Sequence, residues 1–81
     1  MLIQIVYRLL QQLITEKQLL INEGTDIHQM ATELVQEMPK AKFGSHFGSW
    51  LSSQLLAHEN VVELYASDEE LNQSLQDLGV R

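Results

Sequence analysis

Three histidines, His28, His46 and His58, are the only side chains in this chain that change charge near neutral pH without help from their surroundings. No two of them have the i, i+4 spacing that sets a pair of imidazoles over one metal ion, and no carboxylate completes an HExxH-like set. The chain contains no cysteine, so thiolate ligands and thiol nucleophiles are absent as well. Neither a metal site nor a cofactor is expected. His58, followed by Glu59, reads better as a cation at a helix C-terminus, where the helix dipole favours positive charge. The serines offer no stronger start for catalysis. Ser45, Ser49 and Ser53 lie outside any GxSxG elbow, and Gly44-Ser45 and Gly48-Ser49 lack the lysine of a phosphate-binding loop. A domain of 81 residues builds a small core but not a roomy, water-excluding cleft. The chain reads as a non-enzyme.

Binding is the chemistry that remains, and residues 43–58 carry its clearest pattern: Phe-Gly-Ser-His, Phe-Gly-Ser-Trp, Leu-Ser-Ser-Gln, Leu-Leu-Ala-His. Residues four apart stack on a helix, so Phe43, Phe47, Leu51 and Leu55 form an apolar ridge beside the small ridge Gly44, Gly48, Ser52. Such a face lets another backbone come close. An internal helix crossing is the commoner use of it, and a partner or homodimer interface is the other. A helix turns about 100° per residue, so a four-residue repeat drifts roughly 40° each time and one partner helix cannot follow the whole ridge. Leu51 and Leu55 are therefore assigned to the internal core. Phe43, Gly44, Phe47 and Gly48, with Trp50 at the margin as anchor, form the expected partner-binding surface.

Charge supplies two rival readings. Lys40 and Lys42, with His46 and Trp50 close by, could meet phosphates and bases as part of a helix-turn-helix variant, a DNA-binding regulator. Two lysines are a small footprint for a chain of net charge −6, and nucleic acid is an unlikely partner. Conversely, Glu59, Glu63, Asp68, Glu69, Glu70 and Asp77 lie in a stretch with no base, which suits an acidic inhibitor or antitoxin-like mimic that binds a basic protein. Half of these acids belong to the capping box, and a solvated helix face explains the stretch better than a mimic does.

The elements that must position these groups follow from hydrophobic spacing. Apolar pairs at Leu2-Ile3, Ile5-Val6, Leu9-Leu10 and Leu13-Ile14 predict an amphipathic helix over residues 2–16, with no basic leader and too many polar residues for a membrane span. The period breaks at Glu16-Lys17-Gln18, and Leu19–Asn22 then reads either as an extended segment or as a further helical turn. Asp26 with Gln29 resembles a capping box, Thr25 being the competing cap, and opens a second helix that Pro39 ends. The tetrads form the third helix, starting between Pro39 and Ser45 and ending near His58. Val61–Tyr65, rich in strand formers, predicts a second extended segment. Ser67-Asp68-Glu69-Glu70 is a clear capping box for the fourth helix, which Gly79 closes, with Val80 folding back on Leu75.

The fold expected is mainly α, a compact four-helix single domain over residues 1–81, with the two extensions pairing as a short ribbon. An offset of 42 residues aligns Leu9 with Leu51, Leu13 with Leu55 and Leu19-Leu20 with Val61-Val62, a weak internal repeat of about 5–38 and 47–80 in which each half reads helix, extension, helix. The function expected is a small acidic cytoplasmic protein-binding or regulatory module that acts through its third helix, as a homodimer or on a partner protein.

Overall fold

The computed structural model describes residues 2–38 and 47–78. Its elements run α1 (Leu2–Thr15), β1 (Leu19–Ile21), α2 (Ile27–Gln36), α3 (Phe47–Ala57), β2 (Val61–Leu64) and α4 (Asp68–Asp77). The fold is mainly helical with one two-stranded antiparallel ribbon, as the spacing predicts. Among the described residues no helix is long and apolar enough to cross a membrane.

The apolar pairs of α1 place Val6, Leu9, Leu10 and Leu13 in the core. The helix stops because the chain turns left-handed at Lys17, with φ of 60°. There the Lys17 N–H donates to the Ile14 carbonyl at 3.0 Å and the Gln18 N–H to the Leu13 carbonyl at 2.8 Å. This pair of bonds is a Schellman closure, which satisfies carbonyls at the helix end and swings Leu19 into an extended course. Leu19–Ile21 is thus a strand rather than a further helical turn.

The strand pairs Leu19 with Leu64, Leu20 with Glu63 and Ile21 with Val61, leaving Val62 bulged and unopposed. Two further bonds extend the ribbon, from the Tyr65 N–H to the Gln18 carbonyl at 2.7 Å and from the Asn22 N–H to the Asn60 carbonyl at 2.8 Å. Helix α2 begins where Asp26 accepts the Gln29 N–H at 3.1 Å. Helix α4 begins at the full capping box, in which the Glu70 N–H donates to the Ser67 hydroxyl at 3.2 Å and the Ser67 N–H to the Glu70 carboxylate at 3.0 Å.

Helix α1 packs on α2 and α3 on α4, and the ribbon ties the two pairs together. Buried positions of the first helix of each pair recur 42 residues apart: Val6 and Gly48, Leu9 and Leu51, and Leu13 and Leu55. In the second helices the separation is 41, with Met30 matching Leu71, Leu34 matching Leu75 and the caps Asp26 and Ser67 in register. The loops account for the slip. β2 holds the extra bulged Val62, while the link before the cap is longer after β1, Asn22 to Thr25, than after β2, Tyr65 and Ala66.

Candidate functional site

The third helix turns Gly48 inward, with Ser52 half-buried and Ser49 and Ser53 exposed. Gly48 lies so close to α4 that a Cβ added to it would stand 2.1 Å from the backbone oxygen of Asp68 and 3.0 Å from the Asn72 backbone nitrogen. No other residue allows that approach. Phe47 is 2% exposed, and Leu51 and Leu55 are fully buried. Of the expected partner-binding residues, Phe47 and Gly48 therefore contribute to the packing of the chain itself. Trp50 is half-buried; its indole stacks on the Phe47 ring with centroids 5.5 Å apart and planes 16° from parallel, so it keeps a margin facing water. Phe43, Gly44, Lys40, Lys42 and His46, and with them the start of the helix, lie outside the described residues, as do Gly79 and Val80.

His58 sits just past the end of α3, where its ring does something the sequence pattern does not foretell. Its Nδ1 accepts the Asn60 backbone N–H at 3.1 Å. An N–H can only donate, so the imidazole carries its proton on Nε2. That Nε2 lies 3.1 Å from a Glu33 carboxylate oxygen on α2 and donates to it. Both ring nitrogens are engaged and neither is free to act as a base on a substrate. Glu33 and Leu34 from α2 and Glu37 at its C-cap, with Gln54, Ala57, His58 and Glu59 from the α3 end, line an open groove of about 340 Å³. Its rim has three carboxylates and no lysine or arginine. Among the described residues no group of three histidines, cysteines or acids is placed to hold a metal. His28 lies apart from this groove, its ring tilted against Tyr7 with centroids 5.7 Å apart.

A second surface is formed by the ribbon. Alternation along a strand sends Leu19 into the core and its neighbour Leu20 outward, where it faces Glu63 across the pair. Tyr65, two residues beyond Glu63, shares that outer face, and the bulge leaves Val62 without a cross-strand partner. Leu20 is 38% exposed, Val62 61% and Tyr65 60%. The Tyr65 hydroxyl donates to the Glu63 carboxylate, a bond that also holds the phenol above its usual pKa, with desolvation and the Glu63 charge acting in the same direction. On the far side of the ribbon end, the Gln18 amide donates to Glu70 at 3.3 Å. The Ser67 N–H in particular, with the Ser67 hydroxyl and the Gln18 amide adding to it, holds the Glu70 carboxyl below the ordinary carboxylate range.

The outer ribbon face could have been found in the sequence only by fixing the strand register. Leu20, Val62 and Tyr65 each look like core residues until their neighbours Leu19 and Ala66 are known to be the buried ones. Comparison with protein-family models, curated proteins and solved structures yields no match to this chain.

Proposed function

We propose that this chain is a small acidic protein-binding module whose contact surface is the outer face of the ribbon, with the acidic groove at the end of α3 beside it. The observation that carries the reading is the exposure of Leu20, Val62 and Tyr65 around the single charge of Glu63. A ribbon with apolar residues on both faces leaves surface that a partner can remove from water. At −6 the chain repels a second copy of itself and attracts a basic protein, so the partner is taken to be a different, basic chain rather than a homodimer mate. Regulation of that partner by occupation of its basic surface is the activity this implies. DNA binding gains nothing from α3, whose exposed positions are Ser49, Ser53, Leu56 and Ala57.

Affinity capture from native cell extract tests the reading, with the wild-type chain beside a Leu20→Ser/Val62→Ser variant and a Gln73→Ala control on α4. A basic protein retained by wild type and by the control, and lost with the ribbon variant, supports it. Equal retention by all three places the contact elsewhere and overturns the reading. Circular dichroism of the variant guards against a trivial loss of fold, since both replaced side chains are more than a third exposed.

A further inference from the structure

We propose that the free edge of β2 takes up an extended basic segment of the partner as a third strand of the ribbon. This rests on the protein-binding reading above and specifies its mode. The sheet holds only β1 and β2 among the described residues, so β2 has a strand neighbour on one side alone. The Tyr65 N–H points to the Gln18 carbonyl of the β1 side. Peptide groups alternate along a strand, and the Leu64 N–H accordingly points to the other edge, where a third strand would accept it.

Charge selects the occupant. Glu63 stands exposed within β2, Glu59 lies just before it, and Asp68 and Glu69 lie just after it, all exposed. An open edge is a hazard for self-association, and natural strands guard against it with shortness, bulges and charge. β2 has all three: four residues, a bulge at Val62, and Glu63. A second copy would bring the same carboxylates into register and be rejected. A strand that alternates Lys or Arg with aliphatic residues meets Glu63 with the opposite sign on the outer face, where its basic stems also lie along Tyr65, and sets its aliphatic side chains on the opposite face beside Leu64, the partner of buried Leu19. The groups that refuse self-pairing are therefore the groups that recognise a basic strand. This is recognition by strand addition, in which backbone bonds give affinity and alternate side chains give selectivity.

The test is a titration of the full chain, followed by amide NMR shifts at low ionic strength, with an end-blocked peptide of alternating lysine and valine as the probe. The expected result is binding that perturbs the amides of Val61–Leu64 and slows hydrogen exchange at Leu64. Methylating alternate peptide nitrogens on the pairing edge weakens binding by roughly tenfold, the equivalent of about one net hydrogen bond. Replacing lysine by glutamate in the probe abolishes binding, and Glu63→Gln weakens it while leaving the ribbon intact. No binding, binding indifferent to N-methylation, or shifts confined to the groove at Glu33 and His58 each overturn strand addition. A basic partner captured through Leu20 and Val62 in the extract experiment would survive any of those results. Loss of the mode is thus separable from loss of the function.

Discussion

Gly48 holds α3 against α4 by having no side chain. A methyl group there would overlap the Asp68 carbonyl, which belongs to the α4 backbone and can move only if the two helices separate. Gly48→Ala is expected to destabilise by roughly 2 kcal/mol, from about 3 for overpacking against a backbone atom, the upper end of the usual range, less about 1 returned by helix propensity. A lower urea midpoint with an unchanged m-value would register it. The small-residue spacing made a close approach at Gly48 legible, but not which helix approaches, because spacing describes one face and not its mate. At Lys17 the broken apolar period marked the end of α1 to within a residue, but not the left-handed turn that makes it, because a glycine is the usual mark of that position. Lys17→Gly is expected to stabilise by about 1 kcal/mol by relieving the left-handed strain, seen as a higher melting temperature. A fall on that substitution would mean that the lysine side chain supplies something its exposed position does not suggest.

At the scale of elements, the strongest local signal and the weakest one fared differently for a physical reason. The capping box is a short-range device, so Ser67 and Glu70 suffice to set the start of α4. The strands are not local, and Leu19–Ile21 could be distinguished from a helical turn only by pairing with Val61–Leu64 far along the chain. His58 shows the same limit, since its bond to Glu33 joins residues 25 apart, and the sequence pointed instead to the helix dipole. The box also gives α4 a pH dependence with a definite sign. Glu70 has its pKa lowered in the fold, so it contributes stability at pH values above the ordinary glutamate range and loses that contribution as pH falls through its folded value. Glutamine keeps the reciprocal capping bond without titrating. The wild type is therefore expected to exceed Glu70→Gln in urea midpoint near neutral pH, with the gap closing as pH is lowered through the carboxylate range. A gap that stays constant with pH would assign the difference to geometry instead of charge.

For the molecule as a whole, two helix pairs are joined by a ribbon so short that neither half is expected to stand without the other. Helices of 14 and 10 residues are marginal alone, and each strand has its only described partner in the other half. What works against this union is charge. All eleven acids of the chain are among the described residues, where Arg8 and Lys17 are the only bases besides histidine. Compensation is sparse by comparison: the His58–Glu33 contact that bridges the halves at 3.1 Å is a hydrogen bond from the imidazole Nε2 to a half-exposed carboxylate, which keeps its worth small. Net repulsion therefore dominates the response to salt. Raising ionic strength from low to physiological values is expected to lift the melting temperature by a few degrees, the size that screening about 1 kcal/mol of repulsion gives in a domain this small. The same salt should weaken capture of a basic partner, since it screens that attraction equally. Stability rising while binding falls is the signature of an acidic surface kept for a partner. Melting that falls with salt would show that attractive pairs outweigh the repulsion, and the charge argument for a basic partner would lose its footing.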